Sequence, residues 1–211
     1  MWLIRHGESE SNVGRPSATP GASPLTEVGL RQADAVVGAF RARPDLIVAS
    51  TFVRARETAV PTRSRFPDVP YQEWQVEEFT YLGELRGMTT PEERRPLAMA
   101  FWERADPDFR YPGGESFGDL FARAHACVEG LAVTDGFVAM FTHGLFMRAV
   151  AWVMLTGVTG PTHDEILLFR RFVQTYTTPN ACIVELGFGA RRSVRAGTTT
   201  HLPAGLVSDG F

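Results

Sequence analysis

Short strand-like patterns fall at residues 1–4, 46–49, 71–76, 137–142 and 181–186, and the stretches between them change to a helical period. Residues 26–42 place Val28, Leu30, Ala33, Val36, Val37 and Phe40 on a broad apolar stripe, with Thr26 positioned as the N-cap. A helix starts again after Ser50-Thr51 and is expected to be disturbed at Pro61, which lacks an amide hydrogen. Thr90-Pro91-Glu92-Glu93 reads as a strong helix start: threonine at the N-cap, proline at N1, glutamate at N3. That helix is expected to run to about residue 105, before Asp106-Pro107. Residues 116–132 carry Phe117, Leu120, Phe121, Ala124, Val128 and Leu131 on one face. Residues 144–156 are apolar nearly all round, which predicts a buried helix, and Thr162-His163-Asp164-Glu165 forms a further capping box.

Strands alternating with helices predict an α/β fold, a three-layer sandwich with a mostly parallel central sheet flanked by helices. The 211 residues fit one domain spanning 1–211, with a cap-like insertion at about 79–115. Loops at 14–24 and 106–115 are rich in proline and glycine, and no repeat or low-complexity segment is seen. The stretch after Gly197 has weak pattern and is expected to be loosely held.

Composition narrows the classes. Hydrophobic content of 44% supports a full core, and a net charge of −3 argues against a general nucleic-acid binder. The basic residues are dominated by arginine, which suits bidentate contacts to phosphate or carboxylate, although codon bias explains the bulk of it. Cys127 and Cys182 form no motif and read as small buried residues. The chain opens directly on a strand carrying a key motif, so no signal peptide is expected. No apolar run reaches the ~18 residues of a membrane span. A cytoplasmic enzyme with no membrane partner is expected; oligomeric state is not readable.

The chemistry gathers at strand ends, where ligands bind in open α/β sheets. The first strand delivers Arg5, His6 and Gly7, with Glu8, Ser9 and Asn12 just after. The second ends at Ser50-Thr51, with Arg54 on the next helical turn, and the fourth delivers Thr142, His143 and Gly144. Two imidazoles, two guanidiniums and a helix N-terminus suit a phosphoryl group: guanidiniums take its oxygens bidentately, and N-terminal amides favour anions. A neutral histidine among them can accept the phosphoryl group or donate to it. Arg5 and Arg54 disfavour the imidazolium and keep His6 nucleophilic. Zinc on two histidines and a glutamate is opposed by those guanidiniums and by the absence of ligand spacing, so no metal and no cofactor is expected. His125, His163 and His201 are given no role, and Arg56 and Glu57 read as structural.

Leu3-Ile4-Arg5-His6-Gly7-Glu8-Ser9 with Asn12 resembles the signature of the histidine phosphatase superfamily, the phosphoglycerate-mutase-like proteins. Leu25-Thr26-Glu27-Val28-Gly29, the segment from Ser50 to Ala59, and Thr142-His143-Gly144 follow in the family's order. The resemblance implies a phosphoglycerate-mutase-like sandwich in which His6 is the nucleophile and forms a phosphohistidine. It makes Arg5, Arg54 and His143 the phosphate pocket, bordered by Asn12 and Gly144, and implies that no metal is used. A carboxylic acid after the third strand protonates the leaving oxygen, and Glu78 fits best, with Glu77 and Glu84 as alternatives. Leu82 departs from the family pattern, which often has glycine there. A general acid must hold its proton near neutral pH, which asks for apolar surroundings such as Phe79 and Tyr81. Glu115-Ser116 resembles the family's glycine-glutamate-serine turn, where Ser116 either contacts substrate or only caps a helix with Asp119. Asn180 is a weaker candidate for the pocket rim.

The expected activity is metal-independent hydrolysis of a phosphomonoester, the expected partner a small phosphomonoester or inorganic phosphate. A phosphomutase and a non-catalytic phospholigand-binding regulator are the alternatives. The short stretch between Trp102 and Glu115 argues against a mutase, because mutases of this family usually carry a longer one. Phe79, Tyr81, Leu85, Met88, Phe101, Trp102, Phe109 and Tyr111 could form a cap, and a substrate with a partly apolar body is expected if several of them line the pocket.

Overall fold

The computed structural model describes residues 1–16, 19, 21–83 and 90–208. Glu84, Leu85 and Met88 lie outside the described residues. In chain order the elements are β1 (Trp2–Arg5), α1 (Glu27–Ala39), β2 (Leu46–Ser50), α2 (Val53–Arg65), β3 (Tyr71–Trp74) and α3 (Pro91–Arg104). Then come α4 (Phe117–Ala132), β4 (Val138–Thr142), α5 (Gly144–Thr156), α6 (His163–Thr175), β5 (Ile183–Phe188) and β6 (Arg192–Val194).

The strands form one mostly parallel sheet in the order β3-β2-β4-β1-β5-β6. β1, β2, β3 and β4 run parallel, while β5 pairs antiparallel with β1 and β6 antiparallel with β5. The crossing from β1 to β2 leaves a place that β4 later fills. The carboxyl ends of β2, β4 and β1 therefore stand side by side, and the residues just past them share one edge of the sheet.

Strand alternation sorts the core into two layers. Leu3, Val48, Val138, Met140 and Val184 face a layer containing Phe121 and Val128 of α4 and Phe146 and Val150 of α5. Their neighbours Ile4, Ile47, Ala49, Ala139, Phe141 and Ile183 face Val36 of α1 and Ala59 of α2. The central strands read as continuous apolar blocks because both faces are covered.

The helix starts lie where the sequence places them. Thr26 accepts from the Gly29 amide at 3.1 Å, and Thr90/Glu93, Ser116/Asp119 and Thr162/Glu165 form full capping boxes. Four details differ. α2 runs through Pro61 to Arg65, because its buried face of Ala55, Thr58, Ala59 and Thr62 continues past the proline. β3 ends at Trp74 rather than at 76: the carbonyls of Gln75, Val76 and Glu77 accept from side chains, not from a strand. β6 was not anticipated, being three residues long with no usable period. The segment after Gly197 is tied down rather than loose: Thr198 bridges to Ile183, and Gln32 donates to the Leu206 carbonyl at 2.7 Å.

Candidate active site

β1 hands its last residue directly to the site. His6 donates its amide to the Thr142 carbonyl (2.9 Å) and accepts from the Ala181 amide (3.1 Å), so its backbone is fixed from both sides. Its Nδ1 lies 2.6 Å from the Gly7 carbonyl and must carry the proton there, which leaves a lone pair on Nε2. Arg54 donates Nε–H to that Nε2 at 3.0 Å. The turn after His6 needs glycine: a Cβ on Gly7 would sit 2.5 Å from the Gly29 carbonyl oxygen. A Cβ on Gly29 would sit 2.0 Å from that of Glu8, so the two motif segments press together backbone to backbone.

Arg54 occupies the first turn of α2, just past β2, and is 7% exposed. Burial lowers its pKa to about 10, so it stays charged at neutral pH. Arg5 is 3% exposed and donates to the Thr178 carbonyl. A Cβ on Gly144 would lie 3.3 Å from Arg5 Nε, so glycine lets the start of α5 pack on the guanidinium. His143, at the end of β4, is fully buried with Nε2 2.8 Å from Ser50 Oγ. Its Nδ1 has no hydrogen-bond partner among the described residues. The two imidazole centroids are 5.1 Å apart. Burial first, then Arg54 and Arg5, push His6 well below the ordinary histidine value. Burial, Arg54, His6 and Arg5 do the same to His143, so both rings are neutral.

Glu78 reaches the site from the loop after β3. Its Oε1 accepts from the amides of Phe79 (3.0 Å), Leu145 (3.1 Å) and Phe146 (3.3 Å), and its Oε2 from Leu145 at 3.3 Å. The carboxylate thus covers the N-terminus of α5, whose own N-cap residue His143 makes no capping bond. Glu77 turns the other way, accepting from Thr51 Oγ1 at 2.8 Å.

A cavity of about 430 Å³ opens above these groups, with Arg5, His6, Arg54, Glu78 and Gly144 among its lining. Asn12 lines it too, and its Oδ1 accepts from the Ser9 amide (3.0 Å) and from Asn180 Nδ2 (3.2 Å). Asn180 is buried behind this turn, donating also to the His6 carbonyl at 3.3 Å. Ser116 is 1% exposed at the N-cap of α4 and does not line the cavity. Of the expected cap residues, Phe79, Tyr81 and Trp102 line it, while Phe101, Phe109 and Tyr111 pack in the aromatic cluster beneath. Glu57 accepts from the Leu25 amide and Arg56 lies 3.9 Å from Glu73, both away from the cavity. His125 and His201 bond to the carbonyls of Val158 and Ala181, and His163 opens α6.

Sequence reasoning missed Arg148 and Arg94, which also line the cavity. Arg148 had a usable signal: it is the one charge in the otherwise apolar α5, and it donates to the Tyr176 carbonyl at 2.8 Å. Arg94 had none, standing among other charges on α3. Among the described residues no three His, Cys, Asp or Glu side chains gather as a metal site, and no helix is long and apolar enough to cross a membrane.

Residues 1–193 match the family model of the histidine phosphatase superfamily (branch 1). The chain belongs to the histidine phosphatase superfamily. Within it, the chain is 31% identical over 168 residues to glucosyl-3-phosphoglycerate phosphatase of Mycobacterium tuberculosis, covering 74% of each chain. It is 29% identical over 153 residues to 6-phosphofructo-2-kinase/fructose-2,6-bisphosphatase 4 of Rattus norvegicus, matching 71% of this chain but 31% of that longer protein. The solved mycobacterial glucosyl-3-phosphoglycerate phosphatase superposes with a TM-score of 0.69 at 25% identity, covering 93% of this chain and 96% of that one. Each of these relatives carries a phosphatase in its name.

Proposed function

We propose that the protein is a metal-independent phosphatase that hydrolyses a phosphomonoester through a phosphohistidine on His6. The observation that carries this reading is the state of His6: a neutral ring with its lone pair on Nε2, flanked by guanidiniums, in a cavity it shares with Glu78.

Nε2 attacks phosphorus in line while the bond to the leaving oxygen breaks, and Glu78 gives that oxygen its proton. The incoming phosphoryl oxygens offer Arg54 acceptors in place of Nε2. Arg5 and Arg54 then hold the equatorial oxygens; His143 lies behind the cavity's lining, its ring centroid 5.1 Å from that of His6, and its unpartnered Nδ1 is the donor left for an oxygen once Nε2 accepts from Ser50. Water next attacks phosphorus, Glu78 takes its proton, and the N–P bond pair returns to Nε2. Glu78 Oε1 takes three amide contacts and Oε2 one long one, so Oε2 is the oxygen that carries the transferred proton.

The wall favours a substrate with a partly aromatic or aliphatic body. Phe79, Tyr81, Trp102, Leu145 and Val173 line the same cavity as the phosphate-binding groups, together with Arg94 and Arg148. The relative named for glucosyl-3-phosphoglycerate acts on a more polar ester. The deciding test is hydrolysis of an aryl phosphomonoester in the presence of a chelator by wild type and His6→Ala. Turnover is expected in the wild type and a loss on the order of 10⁴-fold or more in the variant. Activity that needs added metal, or that survives in the variant, would overturn the reading.

A further inference from the structure

The segment 75–80, which carries Glu78, belongs to no helix or strand. Side chains supply much of its shape, and one ion pair binds it on both sides of Glu78. Arg123, on α4, donates Nη1 to the carbonyls of Gln75 (3.1 Å) and Glu77 (3.2 Å), just before Glu78. The same guanidinium grips Glu115 as a fork, Nε to Oε1 at 2.7 Å and Nη2 to Oε2 at 3.1 Å. Glu115 Oε2 then accepts from the amide (2.8 Å) and hydroxyl (3.0 Å) of Thr80, just after Glu78. The Arg123 guanidinium also lies 5.0 Å from the ring centroid of Phe146, whose amide donates to the Glu78 carboxyl. One pair therefore fixes the chain before Glu78, the chain after it, and the residue that receives its carboxyl.

Neither Arg123 nor Glu115 lines the cavity that holds His6. Both line a second cavity of about 510 Å³, beyond Thr80 and Gly83, which border the two. Contact with a phosphoryl group in the first cavity is not their part. Their side chains are 17% and 21% exposed, sheltered enough for the fork to be more than a surface pair.

We propose that Arg123 and Glu115 are positioning residues that hold Glu78 where it can pass its proton to the leaving oxygen. The proposal rests on the phosphatase reading above. It makes a demand that a structural role does not: damage should scale with how much the leaving group needs a proton. A dinitrophenolate leaves without protonation, whereas a phenolate or alkoxide leaves far more readily with it.

The experiment compares kcat/KM for dinitrophenyl phosphate and phenyl phosphate in wild type, Arg123→Met, Glu115→Gln and Glu78→Gln, with melting temperature recorded for each. kcat/KM reports the phosphoryl-transfer step and not the later hydrolysis of the phosphohistidine. Arg123→Met is expected to lose ~10²-fold on phenyl phosphate and no more than ~3-fold on dinitrophenyl phosphate, following Glu78→Gln in kind. Glu115→Gln keeps an oxygen for Thr80 and should show the same asymmetry at ~10-fold, which serves if Arg123→Met does not fold. Equal losses on both esters, or none on either, would overturn the proposal. Absence of wild-type turnover on dinitrophenyl phosphate would remove the phosphatase reading itself, and this inference with it.

Discussion

Arg5, His6, Arg54 and His143 stand at the ends of adjacent strands and are 0–7% exposed, while Glu78, Tyr81, Arg94 and Trp102 come from the loop after β3 and from α3. The first set is held by backbone: Arg5 and His6 are bonded to Cys182, Thr142 and Ala181, His143 and Arg54 open the helices that follow β4 and β2, and a side chain on Gly7 would strike the Gly29 carbonyl. The second set is held by side chains, a carboxylate on a helix N-terminus and a fork between Arg123 and Glu115. The contrast assigns labour. On the phosphatase reading proposed above, a phosphoryl group is the same in every ester, so its floor can be rigid; leaving groups differ, so the wall that would meet them sits on a segment free to vary.

The contrast is broken most directly at the floor. Arg54→Gln removes the charge beside His6 Nε2 and is expected to lower kcat on any phosphomonoester by ~10²–10³-fold. Arg54→Lys should recover little of it, since a point charge cannot reproduce the guanidinium's geometry. The loss should be the same for phenyl and dinitrophenyl esters and should be matched by weaker inhibition by inorganic phosphate. A loss below about tenfold would place the phosphate elsewhere.

The floor also has a pH signature. Burial and the neighbouring guanidiniums depress His6 and His143 well below the ordinary value, whereas an unfolded chain titrates them near 6.5. Above that value both states are neutral and nothing changes. As pH falls below it, the unfolded state takes up protons that the folded state refuses, so stability declines. The slope is up to about 1.4 kcal/mol per pH unit for each histidine, continuing down to the depressed folded values. Denaturant melts between pH 7 and 5 should show this decline, and His143→Asn should flatten it by about one histidine's share. An unchanged slope in that variant would mean that His143 takes up its proton in the folded state just as it does in the unfolded chain.

What the sequence disclosed follows the same division. His6-Gly7 and His143-Gly144 were legible because a strand, a glycine turn and a helix start are local patterns, and the sheet order then brings them together. Gly29 was legible only as part of a motif; its reason, the Glu8 carbonyl pressed against it, is a contact between distant segments. The choice of Glu78 over Glu77 depended on register in a segment without secondary structure. Tertiary partners separate the two carboxyls, the α5 amides holding Glu78 and Thr51 holding Glu77. Ser116 read equally as cap or contact, and its burial away from the cavity is set by how α4 packs. Arg148 is visible as a lone charge in an apolar helix, whereas Arg94 offers no pattern at all.

The smallest effect sharpens the wall. Trp102 lines the cavity and packs edge-on against Phe117 with centroids 4.9 Å apart, so Trp102→Phe keeps an aromatic in place while removing one ring's worth of wall. If the wall selects for apolar bodies, kcat/KM for a naphthyl or phenyl phosphate should fall relative to a small polar ester such as glycerol phosphate. The ratio should change by about 1–2 kcal/mol, roughly tenfold, in the range of hydrophobic pocket discrimination. Inhibition by inorganic phosphate should stay as in wild type, because that ion meets only the floor. A parallel fall for both esters would instead mean that Trp102 acts through the packing beneath the site, and that floor and wall are one unit rather than two.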